Sequence, residues 1–123
     1  MIDQRLKKEI QKIISLKPVT LISNGKDGVH CITVDRIKFL DENRIIIKDT
    51  YMRKTLKNIK ENNNVSLNIW GAEKDKDHEY EVCGKARHFK SGKLFEKIKK
   101  ECEEEGMPCK GIIVFTIEKI ERI

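Results

Sequence analysis

The stretch that decides the fold is RIIIKDTYMRKTLKNIK, residues 44–60. Its first part places three isoleucines in a row at positions 45–47, and a continuous β-branched run predicts a strand buried on both faces, as in a barrel. Its second part repeats apolar residues at helical spacing through Met52, Leu56 and Ile59, so a short helix is predicted to follow the strand. This junction of a buried strand with a helix is the organising feature of the sequence.

The segments on the amino-terminal side of this junction predict a helix followed by a hairpin. Asp3 can cap a helix whose apolar residues share one stripe, and Pro18 prevents the continuation of that helix. The turn cluster NGKDG at residues 24–28 is the strongest hairpin signal in the chain. The elements predicted here are a helix over residues 3–16 and strands over residues 19–23, 29–34 and 36–40.

The segments on the carboxy-terminal side predict strands and one further helix. Gly84, inside a long strand pattern, indicates a bulge or a close backbone approach. Gly106 and Pro108 follow the last helical pattern in the order typical of a helix end. The elements predicted here are strands over residues 65–70, 79–89 and 111–118, a polar loop over residues 71–77, and a helix capped by Ser91 that ends near residue 105.

Together these elements predict a mainly β fold with peripheral helices. Most of the predicted strands are joined by tight turns, so the sheet should be mainly antiparallel, and six or seven strands with helices over the openings describe a small barrel. The sequence has no internal repeat and no low-complexity tract, and 123 residues suffice for one core. We therefore expect residues 1–123 to form a single domain.

The composition indicates a soluble chain with a heavily charged surface. Hydrophobic residues make up 38% and charged residues 37%, with a formal net charge of +6. No run approaches the roughly 18 apolar residues that span a bilayer, and the first residues lack the pattern of a signal peptide, so we expect a cytoplasmic location. The four cysteines, at positions 31, 83, 102 and 109, form no CxxC pair, so structural thiols are expected and no metal site is indicated.

The junction also carries the one charge pattern that points to a ligand. A helix start offers unpaired N–H groups and a partial positive charge, which sequences usually complement with Asp or Glu. Here Arg53 and Lys54 stand in the first turn with Lys48 just ahead, and the hydroxyls of Thr50 and Thr55 flank them. This pattern favours a phosphate site at a helix start, although a plain Thr50 cap with solvated cations would give the same residues. The glycine-rich loops of mononucleotide and dinucleotide sites are absent from the sequence.

The layout resembles the pyridoxamine-phosphate-oxidase-like, FMN-binding split β-barrel family. Three stretches carry the resemblance in the family's order: KPVTLISNGKDGVHCITV at residues 17–34, LDENRIIIKDTYMRKTLKNIKENNNVSLNIW at residues 40–70, and EYEVCGKARHF at residues 79–89. The resemblance covers residues 16–118 and implies a six- to seven-stranded antiparallel split barrel of the FMN-binding type. Two departures are Asn64, where the family commonly has proline, and a shorter turn near Arg36.

The resemblance also implies a set of cofactor contacts. FMN would lie at the interface of a homodimer, and Trp70 would stand where the fold often brings residues of the second subunit to the flavin. The contacts implied for the phosphate are Arg53, Lys54 and Thr55, those for the flavin ring are Cys31, Ile32, Thr33 and Val34, and those for the ribityl chain are Lys48, Asp49 and Thr50.

These features predict an FMN-dependent oxidoreductase or a one-domain electron carrier, and the sequence does not separate the two. The sequence identifies no catalytic residue, substrate or redox partner. Deazaflavin and haem are alternative ligands of this fold. One alternative is a basic module that binds nucleic acid, but the seven aromatic residues do not interleave with basic residues as single-strand binding requires. The other alternative is a flavin-free structural dimer.

Overall fold

The computed structural model describes residues 4–15, 17–49, 52–73 and 76–123, without the side chains of residues 72–77. Within these ranges the chain forms three helices and seven strands. In chain order they are α1 (Gln4–Ile14), β1 (Val19–Gly25), β2 (Gly28–Val34), β3 (Ile37–Phe39), β4 (Arg44–Asp49), α2 (Arg53–Glu61), β5 (Asn64–Glu73), β6 (Lys76–Phe89), α3 (Lys93–Glu104) and β7 (Gly111–Arg122).

The seven strands form one antiparallel sheet in the order β2-β1-β5-β6-β7-β4-β3. β2 and β3 are the two edge strands, and α1 packs against β5 and β3 on the inner side. Ile10 of α1 is fully buried in the resulting core. This arrangement confirms the predicted mainly β architecture with peripheral helices. None of the described helices is long and apolar enough to cross a membrane.

The three isoleucines of β4 are buried on both faces of the sheet, as their run predicted. Ile45 and Ile47 belong to the inner core, whereas Ile46 belongs to a second apolar cluster between the sheet and α3. β7 has the same property, since Ile113 faces the inner core and Ile112 faces α3. The pairing of β4 with β7 therefore forms the wall that separates the two clusters.

Two local expectations are wrong. Residues 71–73 continue β5, and residues 76–77 begin β6, so the predicted loop over residues 71–77 is mostly a paired hairpin. The side chain of Ser91 does not cap α3, because the cap position is Gly92, whose φ of 101° is readily adopted by glycine. In residues 71–73 and 76–77, the pairing of β5 with β6 stabilises strand structure despite the polar composition. At the start of α3, the backbone conformation places the cap at Gly92, one residue after Ser91.

Gly84 marks a bulge in the pairing of β6 with β7. The register shifts between Cys83 and Gly84, and a Cβ on Gly84 would collide with the main-chain carbonyl oxygen of Thr116 on β7. Only glycine allows the two backbones to approach this closely.

The Gly84→Ala substitution should therefore destabilise the fold. We expect the free energy of unfolding to fall by about 1–3 kcal/mol, because the added methyl group forces the strands apart. Chemical denaturation of the variant measures the change, with Arg87→Ala on the exposed side of the same strand as a control expected within about 0.5 kcal/mol of the parent. Equal stability of Gly84→Ala and the parent would contradict the close approach.

Candidate functional site

The first turn of α2 combines two cations with a cap position that makes no side-chain hydrogen bond. Met52 occupies the cap position and makes no side-chain hydrogen bond to the helix, and the first turn contains no Asp or Glu. Arg53 and Lys54 take the first two helical positions, and both are exposed. Each cation at this end of a helix costs about 0.3–1 kcal/mol unless an anion compensates it. The helix start is thus electrostatically suited to an anion.

Thr55 adds an unsatisfied donor at the same place. This third residue of α2 is 1% exposed, and its Oγ1 has no hydrogen-bond partner within the described part of the chain. A buried hydroxyl without a partner costs about 1–3 kcal/mol. A phosphate oxygen could accept a hydrogen bond from this hydroxyl and from the free N–H groups of the helix start. The residues present therefore fit the phosphate of a flavin.

A cleft of about 180 Å³ lies between the β1–β2 turn and α2. In this cleft Lys57 Nζ lies 2.9 Å from Asp27 Oδ2, and the pairing lowers the pKa of Asp27 and raises that of Lys57. Lys54, by contrast, has no ion-pair partner within 4 Å among the described residues. The cleft is lined by Asp27, Gly28, Val29, His30, Lys54, Lys57 and Asn58.

Contacts between the hairpin and α2 fix the position of this cleft. The buried Nδ2 of Asn58 donates a hydrogen bond to Ser23 Oγ at 3.1 Å, and the backbone N–H of Lys26 donates one to Glu61 Oε2 at 2.7 Å. Gly25 allows the approach, since a Cβ there would collide with the side-chain amide of Asn58. The helix start is consequently held in one position relative to β2.

Asp49 and His88 form a buried polar pair at the same end of the barrel. Both side chains are more than nine-tenths buried, and His88 Nε2 lies 3.3 Å from Asp49 Oδ2 without the alignment of a hydrogen bond. Gly111 makes room for the imidazole, because a Cβ there would collide with it. Burial lowers the pKa of His88, and the Asp49 carboxylate opposes that effect only in part. The imidazole is therefore neutral at neutral pH.

The sequence predicted Asp49 as a cofactor contact but did not identify His88 as a site residue. The missed signal was the alternation of β6, which places Tyr80, Val82 and Ala86 in the inner core and His88 next on that face. Pairing with Asp49 depends on β6 and β4 both lying beside β7, which local sequence does not specify. The pair is thus a tertiary feature.

The other predicted contacts are divided between two faces of the sheet. Lys48 points away from Asp49, and its Nζ lies 3.7 Å from Glu105 Oε1 at the end of α3. On β2, Cys31 and Thr33 are exposed, whereas Ile32 is half-buried and Val34 is buried. Within one chain, the structure does not gather all these side chains around one point. Thr50 lies outside the described residues.

Trp70 stands far from the start of α2. β5 pairs Val65 with Ser23 near the hairpin and Asn68 with Thr20, so Trp70 lies toward the opposite end of the strand, roughly 17 Å along it from Val65. Trp70 is 47% exposed, and Lys17 Nζ lies 4.4 Å from the ring centroid. A single chain does not bring Trp70 to the phosphate site.

Comparisons with known proteins agree with this architecture. The family model described as pyridoxamine 5'-phosphate oxidase matches residues 6–123. An uncharacterised protein of Methanocaldococcus jannaschii is 34% identical over 122 residues, which cover 94% of this chain and 79% of that protein.

Two solved structures have the same fold at low sequence identity. The HupZ protein of Group A Streptococcus superposes with a TM-score of 0.82 at 18% identity, over 100% of this chain and 94% of that one. An FMN-binding protein of Syntrophomonas wolfei superposes with a TM-score of 0.82 at 20% identity, over 98% of this chain and 88% of that one. The expected split β-barrel is confirmed.

The buried pair predicts a specific titration. The pKa of His88 should lie below the ordinary value of 6.5, and Asp49→Asn should lower it further, because the substitution removes the carboxylate that raises it. The unfolded chain binds a proton at this histidine more readily than the folded chain does. The free energy of unfolding should therefore decrease as the pH falls from about 6.5 toward the pKa of His88 in the folded protein.

NMR titration of the imidazole C–H resonances measures both effects. A pKa of His88 above 6.5, or one that the Asp49→Asn substitution leaves unchanged, would contradict the buried contact.

Proposed function

This chain belongs to the pyridoxamine 5'-phosphate oxidase family, a family of flavin-binding proteins, and we propose that it binds FMN with the phosphate at the start of α2. The observation that carries the proposal is the buried Thr55 hydroxyl without a partner beneath a helix start that holds two cations and no acid. A phosphate at this point satisfies the hydroxyl and compensates both charges.

Both side chains and backbone N–H groups would contact the phosphate. Thr55 Oγ1 and the free N–H groups of the first turn donate to phosphate oxygens, while Arg53 and Lys54 supply charge from the exposed side. The neighbouring cleft of about 180 Å³ is smaller than the roughly 300 Å³ of pockets that enclose a drug-sized ligand. This cleft is therefore of a size for a phosphate group, and the rest of the flavin nucleotide would extend beyond it.

When bound, the isoalloxazine ring would supply electron-transfer chemistry, which places the protein among flavin-dependent oxidoreductases or one-domain electron carriers. The chain's own residues would hold and orient the cofactor. β2 supports this role by its position, because its turn borders the phosphate cleft and its outer face, with Cys31 and Thr33, is exposed beside it.

We further propose that two copies of the chain associate through the outer face of β1 and β2. Val29 is 68% exposed on this edge strand, and Ile22 lies beside Cys31 on the same face. A second copy would cover these apolar side chains and enclose the flavin ring. The second copy would also bring its own Trp70 to the flavin, since the Trp70 of the first chain lies far from the phosphate site.

The Thr55→Val substitution tests the phosphate site, because it should increase the stability of the flavin-free protein and decrease its affinity for FMN. Valine keeps the volume and removes the unsatisfied hydroxyl, so the flavin-free protein should become more stable by about 1 kcal/mol. FMN affinity should fall about tenfold or more, because a hydrogen bond to a charged group contributes about 1.5–3 kcal/mol. Denaturation and quenching of flavin fluorescence measure the two effects.

Controls separate phosphate recognition from ring binding. Riboflavin has no phosphate, so its affinity should be weak and equal in the parent and in Thr55→Val, and Lys100→Ala on exposed α3 should leave FMN affinity unchanged. A Thr55→Val protein that binds FMN as tightly as the parent would refute the site. A parent protein that binds no FMN at all would refute the proposed cofactor.

Ile22→Arg tests the proposed interface. Sedimentation velocity should give the parent twice the 14.4 kDa mass of one chain, and Ile22→Arg should sediment as a single chain with weakened FMN binding. The control, Thr116→Arg, introduces the same charge at an exposed position of β7 and should leave the dimer intact. A parent that remains monomeric with and without FMN would contradict this interface.

A further inference from the structure

Two of the four cysteines lie together at the end of α3, in the apolar cluster between this helix and the outer face of the sheet. Cys102 is fully buried, and Cys109 is half-buried against the same apolar cluster between the sheet and α3. Both are free thiols, and neither has a part in the proposed binding of FMN. Cys109 also donates a hydrogen bond to the carbonyl oxygen of Gly111 at 3.4 Å.

The end of α3 explains why residues seven apart in sequence meet. The N–H of Met107 donates to the carbonyl oxygen of Cys102 at 2.9 Å, and the N–H of Gly106 donates to that of Glu103 at 3.1 Å. With Gly106 at a φ of 72°, these two bonds form a Schellman motif, which turns the chain back along the last helical turn. This reversal returns Cys109 to the side of Cys102.

Arg36 holds the two sides of this turn together. Its Nη2 donates to Cys102 Sγ at 3.2 Å, and its Nη1 donates to the carbonyl oxygen of Pro108 at 2.7 Å. A guanidinium in this position also attracts the negative charge that develops on sulfur during thiol–disulfide exchange. The two thiols are thus preorganised beside a cation.

The half-buried thiol is the one that a reagent can reach. Burial, followed by the interaction with Cys102, raises the pKa of Cys109, and the hydrogen bond to Gly111 and the charge of Arg36 offset this only in part. Cys109 is therefore mostly protonated at neutral pH, and its reactivity should increase as the pH rises from about 7 to 9.

We propose that Cys102 and Cys109 form a reversible dithiol–disulfide site whose co-substrate is a small-molecule disulfide. The Cys109 thiolate attacks one sulfur of the disulfide RSSR, forming Cys109–S–SR and releasing RS⁻. Cys102 then loses its proton to solvent and attacks the Cys109 sulfur, which releases the second RS⁻ and closes the Cys102–Cys109 bond. The protein loses two electrons and two protons, and RSSR becomes two RSH.

Oxidised dithiothreitol is the probe for this site. The protein with Cys31→Ser and Cys83→Ser, which retains only the proposed pair, is equilibrated in its folded form with dithiothreitol buffers of increasing oxidised fraction. It is then quenched with acid, alkylated and digested with trypsin. Residues 101–110 leave as one peptide that contains both cysteines, since no Lys or Arg lies between them. We expect this peptide to appear about 2 Da lighter and unalkylated as the oxidised fraction rises, and to regain both thiols on reduction.

Matched variants test the part played by Arg36. Arg36→Gln should slow closure of the disulfide about three- to tenfold, whereas Lys38→Gln, which removes a neighbouring cation that contacts α3 through Glu101, should not change the rate. Alkylation of both cysteines at every buffer ratio in the folded protein would overturn the proposal. So would bridging that occurs only between two chains, which non-reducing electrophoresis detects.

Discussion

The burial of β4 on both of its faces is the constraint on which the rest of the structure depends. Ile45 and Ile47 fill the inner core, while Ile46 anchors α3 on the outside, and each such side chain contributes about 1.5–3 kcal/mol when fully buried. A strand with two apolar faces needs a layer on each side. The inner core and α3 supply these layers, and β7 pairs alongside to complete the wall.

The same strand determines what stands at the barrel end. Because side chains alternate along β4, Asp49 turns inward to His88, and Lys48 turns outward to Glu105. α2 begins only a few residues later and is held against the hairpin by the buried contact of Asn58 with Ser23. Its start is therefore fixed, uncapped and positively charged. The two cations repel the positive end of the helix dipole and so destabilise the fold, and a bound anion would restore that stability.

Features set by neighbours in sequence were predictable. The isoleucine run predicted β4, and the spacing of Met52, Leu56 and Ile59 predicted α2, so the helix start that carries the candidate phosphate site could be located from the sequence. The continuation of β5 and β6 into residues 71–77 could not, because pairing between strands stabilises a segment whose composition is typical of a loop.

The remaining site features depend on contacts between distant residues. The burial of Thr55, the pairing of His88 with Asp49 and the separation of Trp70 from α2 all follow from strand order, which local patterns do not specify. Cys102 and Cys109 lie together because of the Schellman motif at the end of α3 and the hydrogen bond from Arg36, which lies just before β3. The resemblance to the flavin-binding family supplied the ring and ribityl contacts, and those contacts stay predictions.

A crystal structure of the protein grown with FMN would locate the phosphate of the cofactor. We expect a phosphate oxygen within hydrogen-bond distance of Thr55 Oγ1, with the N–H groups of the first turn of α2 directed at the same phosphate. A flavin bound with its phosphate elsewhere, and Thr55 Oγ1 still without a partner, would contradict the proposed site.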